Sequence, residues 1–495
     1  MKKTFGKKEA APKPQKKFKA NQESNLARKE NLAPKDRKID PKNLDSQAIA
    51  PKKEPLRGKK EGHPKPHFDP KKSPWPEGQE LFPKPNLDIQ KAIDSLLSVL
   101  EMVRPLNQNH QHSLAKDISD LSLILTTERA QLNYPYWSKP NFISAYLYYF
   151  LPWNLVRLTR LLAGLPRLEQ ALTSTDSDAP LILDLGSGPL TLPIALWLAY
   201  PNLRTKKLII VAQDKAKQPI IWGEKILTGL AQINNLPQIW QISPINKPLE
   251  ALPTIFSAKG WPAPTIISAA NFLNELYNQR RNRTHTLSQA YVEAETDPEG
   301  QNINLVDCLD SFINSLAKIS SLGDPQILVV EPGTRLGGKI IEELRQMALD
   351  ADFRLQAPCT HQKKCPLKSR FGQRTWCHYT FSTLGAPNWL KNLSKQAGLT
   401  KTALSLAPLL LAQNRSHKTL KTSSDQDCIS ETVRVISSSF SVPGLLGQAR
   451  YACSSCGLLL LENAGHLNSG DLLTITIDKM AQRDVKSGAR IIRSS

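Results

Sequence analysis

Apolar positions along the chain follow two rhythms, and the change of rhythm divides it. From about Leu87 to Leu162 the spacing is helical, as in IQKAIDSLLSVLEMV and HSLAKDISDLSLILTTERAQL, with YPYWSKPN as a break. From Pro180 short apolar runs alternate with helical stretches: LILDLG, TLPIALWLAY, KLIIVAQD, PIIWGEKILTGLAQI, TIISAA, DCLDSFINSLAKIS, QILVVEPG and KIIEELRQMALDA. That alternation predicts an α/β fold, a parallel sheet with helices on both faces. Further on, ETVRVISSSFSV, ARYACSSCGLLLLEN and GDLLTITID alternate at period two between turns, which predicts a small β-rich domain. The first 80 residues show neither rhythm. The expected organisation is a disordered basic Lys/Pro-rich tail over 1–80, a helical region over 81–175, and an α/β domain over 176–424 with a Cys-rich insertion at 357–380. The β-rich domain takes 425–495.

Charge sharpens the first boundary. The 495 residues carry 65 Lys+Arg against 44 Asp+Glu, a net charge of +21. Residues 1–80 hold 22 of those bases, 11 of the acids and 11 of the 37 Pro, so a net +11 sits in the tail and +10 in the other 415 residues. Such a segment buries too little apolar area to offset its ordering entropy. Its lysines suit either a solubilising tail or a phosphate-seeking arm, with salt-sensitive and sequence-blind attraction to nucleic acid. The best apolar run, FISAYLYYFLPWNLVR, is interrupted by Pro152 and Arg157, so no membrane span and no membrane partner are expected. The start, MKKTFGKKEAAPKPQ, lacks the apolar core of a secretory signal. A cytoplasmic location is the default expectation, and a monomer the default state. Seven Cys then argue for free thiols, metal ligands or catalysis over a disulfide framework.

Candidate chemistry begins where the first predicted strand ends, in LILDLGSGPLTLPIAL. Gly186 and Gly188 let the backbone turn tightly and approach a ligand, and the following helix aims its N-terminal amides at it. A dinucleotide fingerprint fails, because Thr191 stands where the third glycine of GxGxxG belongs. The second strand, KLIIVAQD, ends on Asp214, whose carboxylate suits ribose hydroxyls or a helix cap. The set resembles a class I S-adenosylmethionine-dependent methyltransferase, a Rossmann-like fold in which an acidic residue precedes the glycine loop. Here that residue is Asp184.

The cysteines form a second candidate site. Cys359, Cys365 and Cys377 lie in CTHQKKCPLKSRFGQRTWC, and Cys453 and Cys456 follow in YACSSCG. Soft thiolates in this number suit zinc or an iron–sulfur cluster, and spacing does not choose between them. His361 and His378 are possible partners in a zinc site. The loop also carries Lys363, Lys364, Lys368, Arg370 and Arg374 without an acid, interleaved with Phe371, Trp376 and Tyr379. Bases of this kind meet phosphates, and aromatics stack on exposed bases. A second basic strip, Arg280, Arg281 and Arg283, follows the fourth strand's motif, AANFLNEL. That motif offers Asn271, Asn274 and Glu275 to a target base, without the proline pair and stacking aromatic of amino-directed nucleic-acid methyltransferases, and Asn274 and Glu275 serve equally as caps of the helix that starts there. No cysteine pair of the carbon-5 pyrimidine type is present.

AYLYYFLPWNLVR, DLGSGP, TIISAANFLNEL, QILVVEPGT, CTHQKKCPL and WCHYTF occur in this order. Over about residues 115–465 the set resembles the mitochondrial small-ribosomal-subunit methyltransferase-like assembly factors and their bacterial counterparts. The resemblance implies S-adenosylmethionine held by Asp184, Gly186, Gly188 and Asp214. It implies a [4Fe-4S] cluster on Cys359, Cys365, Cys377 and, through RYACS, Cys453, with Cys456 and Cys428 spare. It also implies association with the small ribosomal subunit and its rRNA. Where that family has a further glycine this chain has Leu190, which adds bulk close to the expected methionine part of the cofactor. Two functions follow: an rRNA methyltransferase with Asn274 and Glu275 near the target, or a non-catalytic assembly factor using the fold as an RNA-binding platform.

Overall fold

The computed structural model describes residues 75–126, 136–174, 178–278, 305–368, 375–413, 428–478 and 480–493. The tail to residue 74 and the strip Arg280, Arg281 and Arg283 lie outside the described residues, as do Arg370, Phe371 and Arg374. Residues Asp69–Ser495 form one compact unit.

The helical rhythm yields helices at Leu87–Asp94, Leu96–Val103, Gln108–Thr126, Pro140–Ala145, Leu151–Ala163 and Pro166–Thr173. The alternating region yields β1 (Leu181–Leu185), β2 (Leu208–Gln213), β3 (Trp240–Ile245), β4 (Pro264–Ala270), β5 (Gln326–Pro332), β6 (Phe353–Ala357), β7 (Tyr379–Ser382) and β8 (Ala403–Gln413). They lie in the order β3-β2-β1-β4-β5-β8-β6, with β7 also on β8. The first five are parallel, and β8 runs antiparallel to β5 and β6. That order, with one reversed strand beyond β5, is the class I methyltransferase fold. The strand order reverses between β1 and β4, so a crevice opens at their carboxyl ends, where ligands bind in such sheets.

Alternation along each strand sorts side chains to two cores. Ile182, Ile210, Leu328 and Val330 face the N-terminal helices and the helices Thr191–Ala199 and Lys217–Ile233. Leu181, Leu183, Val211 and Val329 face the helices Leu252–Lys259, Leu305–Ser320 and Arg335–Asp350. Both faces of β1 are covered, and all five of its residues are buried.

The β-rich domain is a five-stranded sheet built from β9 (Cys428–Ser441), β10 (Gln448–Ser454), β11 (Gly457–Leu461), β12 (Leu472–Asp478) and β13 (Arg490–Ile492), in the order β12-β9-β10-β11-β13. Its Val433, Val435, Leu459, Leu461, Ile475 and Ile477 make a separate apolar cluster. Ile436, Ala449, Leu458 and Leu460 join the core of the α/β domain instead.

The chain is already anchored ahead of residue 80. Trp75 is 8% exposed and donates from Nε1 to Glu462 O at 3.0 Å, and Gln79 pairs antiparallel with Leu472. Trp75 supplies the apolar anchor, and β12, an edge strand, offers unpaired backbone. Among the described residues no helix is long and apolar enough to cross a membrane.

Candidate functional site

The crevice is built by the turn after β1. Gly186, Gly188 and Leu190 have φ of 64°, 51° and 54°, three left-handed residues within five, which aim successive amides across the sheet edge. Gly186 leaves no room for a side chain, since a Cβ there would stand 2.4 Å from Phe272 Cδ2. A Cβ on Gly188 would meet nothing within 4 Å, so its backbone faces open space. Gly186 N donates to Gln213 Oε1 at 3.2 Å, and Gly188 N to Asp214 Oδ2 at 2.9 Å. The other Asp214 oxygen accepts from Ala216 N at 2.9 Å. Asp214 is thus both a turn cap and a half-buried carboxylate at the crevice rim, with lone pairs left for hydroxyl donors.

Asp184 works from below. It is 2% exposed and accepts from Ser268 Oγ at 2.7 Å and from Ser187 Oγ. Burial raises its pKa to about 6, against the lowering effect of those two bonds. Through Ser187 on the turn and Ser268 on β4, the carboxylate ties the loop to the neighbouring strand. It therefore fixes the loop's shape.

The bulk expected from Leu190 lies elsewhere. Its side chain is fully buried, with Cγ 2.7 Å from where a Cβ on Gly223 would stand, in the helix layer. The position favours glycine through its left-handed backbone, which costs a leucine about 1–2 kcal/mol. That strain is offset by the burial of an aliphatic side chain.

At the exit of β4 the structure adds two charged residues that were not among the candidate site residues, Glu331 and Arg157. Glu331, fully buried at the end of β5, accepts from Leu273 N at 2.9 Å and Asn274 N at 3.3 Å, capping a helix over 272–278. Burial pushes its pKa up to about 8. Arg157 donates to Asn271 Oδ1 at 3.2 Å and to Ser405 O at 3.1 Å, and burial lowers its pKa to about 10. Asn274 Oδ1 accepts from Asn278 Nδ2 at 3.0 Å, and Glu275 is half-buried on the same helix. The signals for this network were Glu331 within QILVVEPGT and Arg157 within AYLYYFLPWNLVR, charges inside apolar strings.

The second site is a cavity of ≈ 30 Å³ where helix Arg335–Asp350, the loop 358–367, β7 and the C-terminal sheet meet. Cys359, Cys365, Cys377 and Cys453 all line it, as do His361 and Tyr379. Burial pushes the Cys365 thiol up to about 11, and raises Cys377 and Cys453 well above the usual thiol value, helped by the neighbouring cysteines. Without a bound cation these groups stay protonated. Two guanidiniums stand among them. Arg345, 2% exposed, donates from Nε to Cys359 Sγ at 3.3 Å, while its Nη1 has no protein partner. Arg434 donates to Pro358 O at 3.1 Å and Gly470 O at 2.7 Å. Such a set suits thiophilic metal chemistry of net negative charge. Among the described residues, no three His, Cys, Asp or Glu side chains are grouped around a single metal ion.

His378 stacks on Trp376 with ring centroids 4.9 Å apart and does not line the cavity. Cys456 lies beside Glu431, Sγ to Oε1 3.5 Å. Cys428 is the first residue of β9. Tyr379 is 2% exposed, and Trp376 donates to Gly333 O at 3.2 Å, so neither stands free to stack on a base. Lys363, Lys364 and Lys368 are exposed, Lys368 paired with Glu343 at 2.6 Å.

Residues 308–391 match the Rsm22 family model. Its description is mitochondrial small ribosomal subunit Rsm22, and the match holds Glu331 and three of the four cavity cysteines but neither the β1 turn nor Cys453. A search of curated proteins finds no match. Among solved structures, magnesium protoporphyrin IX methyltransferase from Synechocystis PCC 6803, with bound S-adenosylmethionine, is 8% identical over 53% of this chain and 84% of its own, with a TM-score of 0.26. A putative class I S-adenosylmethionine-dependent methyltransferase from Listeria monocytogenes is 8% identical over 67% and 88%, with a TM-score of 0.28. A putative RNA methyltransferase from Pyrococcus horikoshii is 9% identical over 57% and 91%, with a TM-score of 0.24. Likenesses this remote carry no argument about activity, and the fold rests on the strand order.

Proposed function

We propose that the chain is a small-ribosomal-subunit-associated, S-adenosylmethionine-dependent methyltransferase-like protein that acts on or binds rRNA in the cytoplasm. The observation that carries this is the turn after β1, where Gly188 presents open backbone between the buried Asp184 and the rim carboxylate of Asp214. The Rsm22 match over 308–391 supports the ribosomal partner.

The cofactor supplies an electrophilic methyl group on a sulfonium. The chain's own part is to hold and orient. Asp214 accepts from ribose hydroxyls, the backbone at Gly188 leaves open space beside it, and Asp184 keeps the loop in shape through Ser187 and Ser268. In the catalytic reading, Asn274 and Glu275 orient the target at the β4 exit.

A second reading is favoured by a specific observation. Asn271 and Asn274 are already engaged, by Arg157 and Asn278, within the protein's own network. That arrangement suits a non-catalytic assembly factor whose methyltransferase fold is an RNA-binding platform.

We further propose that Cys359, Cys365, Cys377 and Cys453 hold a [4Fe-4S] cluster. Four thiols lining one cavity suit a metal group held by thiolates. The partnerless Arg345 Nη1 suits its negative charge.

A labelled methyl-donor assay on small subunits from a strain lacking the protein tests the function, with Asp184→Ala as control. Label in rRNA with the wild type alone establishes the enzyme. No label, with undiminished particle binding, establishes the platform. Colourless, zinc-loaded protein from anaerobic purification would overturn the cluster.

A further inference from the structure

The string AYLYYFLPWNLVR belongs to neither candidate site, Arg157 excepted. It lies in one helical run over 140–163, in which Tyr146–Phe150 is a π-turn between two α-helical parts. Such turns are rare within helices and recur at functional sites. Between residues 142 and 162 every residue is buried except Tyr146, Phe150, Asn154 and Arg157, which are half-buried. Their spacing of four, four and three puts them on one stripe. A helix packed on its other sides normally gives such a stripe to solvated charge. Here the outer half is aromatic. Tyr146 stacks on Phe150 with ring centroids 5.8 Å apart, and the half-buried Trp137 lies against Tyr146 at 4.8 Å. The inner half leads to the β4 exit, where Arg157 Nη2 donates to Asn154 Oδ1 at 2.8 Å and to Asn271 Oδ1 at 3.2 Å.

The charge around the stripe selects its occupant. No Asp or Glu stands between Glu128 and Glu169, nor in the 72 residues between Asp352 and Asp425, which hold 12 Lys+Arg. These two acid-free stretches meet along the helix. Tyr149 Oη donates to Leu399 O at 3.1 Å, Trp153 Nε1 to Ser394 Oγ at 3.0 Å, and Arg157 Nη1 to Ser405 O at 3.1 Å. Lys401 Nζ stands 5.8 Å from the centre of the Tyr149 ring, which meets Phe150 edge-on at 5.1 Å. Lys395 and Lys401 are exposed. Like charges gathered without acids repel one another, and a bound polyanion relieves that repulsion. Aromatic faces beside cations match unpaired bases and their phosphates, whereas a duplex keeps its bases stacked inside.

We propose that this stripe is a track for single-stranded RNA, with bases stacked on Trp137, Tyr146 and Phe150, phosphates toward Lys395 and Lys401, and the strand running toward Asn271 at the β4 exit. The inference rests on the proposed RNA partner and holds for the enzyme and the platform alike.

Fluorescence anisotropy of the full chain tests it with two labelled probes: an unstructured decamer RNA, and a ribose-phosphate decamer of the same charge lacking bases. The basic tail acts on both alike, so their ratio reports stacking. The RNA is expected to bind about tenfold tighter or more, the scale of one or two stacked bases. Phe150→Leu, which keeps an apolar side chain without a π-face, is expected to bring the two probes to within about threefold, and Phe150→Trp to keep the ratio. Lys401→Gln should weaken both probes equally and lower the salt slope by about one. Binding of both probes with equal affinity by the wild type would overturn the track and leave the RNA partner standing, as would a ratio that survives both Phe150→Leu and Tyr146→Leu. Absence of binding to either probe would overturn the RNA partner and the track together. Should Phe150→Leu melt early, Tyr146→Leu and Phe150→Trp still decide.

Discussion

The crevice after β1 and the cysteine cavity are built in opposite ways. The crevice draws on Asp184, Gly186, Gly188 and Asp214, from two adjacent strands and the turn between one of them and its helix. The cavity gathers cysteines from 359 to 453, from the loop after β6, the segment leading into β7 and strand β10 of the C-terminal sheet. A local site can be shaped by turn chemistry alone. A dispersed one exists only once both sheets have packed, and a metal bound there would hold the packing in place.

The largest expected effect lies in the dispersed site. Cys453→Ala is expected to lose iron and sulfide together and to cost several kcal/mol of stability, a sizeable share of the roughly 10 kcal/mol a structural metal can supply. Denaturant unfolding under anaerobic conditions, with iron and sulfide analysis, measures both. Full iron content and an unchanged midpoint would remove the contrast between the two sites.

Next come the glycines of the local site. Gly188→Ala is expected to cost about 1 kcal/mol of stability through left-handed strain, yet to weaken S-adenosylmethionine binding by about tenfold or more, because only the open face is altered. Gly186→Ala adds a contact of 2.4 Å with Phe272 and is expected to melt lower than Gly188→Ala. Calorimetric titration and melting curves separate the two, and equal melting temperatures would contradict the packing of Phe272.

Glu331 predicts a smaller, pH-dependent effect. Its pKa rises from the ordinary 4.5 to about 8 on folding, so the folded state holds its proton where the unfolded state has lost it. Its contribution is full below about 4.5 and declines as pH rises toward 8. Glu331→Gln should flatten the fall in stability between pH 5 and 8, read from urea midpoints. A fall equally steep in the variant would assign the slope to other groups. The smallest effect is expected of Cys456→Ser, whose thiol lies beside Glu431, with iron content at the wild-type level. Loss of iron in this variant would move the fourth ligand from Cys453 to Cys456.

Much of this was legible in the apolar rhythm. LILDLG, KLIIVAQD, TIISAA and QILVVEPG became β1, β2, β4 and β5, and the three late alternating strings became β9 to β12. β3, β6, β7 and β8 gave weaker signals. WQISPI carries a proline and polar residues, and the apolar run of β8 around Pro408 reads equally as strand or buried helix. The place of Leu190 was not legible, because sequence names a side chain but not its direction; the left-handed backbone turns it toward Gly223.

The sequence by itself determined the parallel core, the glycine turn with its flanking acids, and the supply of thiols, because each depends on neighbours a few residues apart. Tertiary structure alone decided that four of those thiols share a cavity with Arg345 and Arg434, and that Glu331 caps the helix after β4. These depend on which faces of distant strands meet, and burial, not spacing, sets the charge each group can carry.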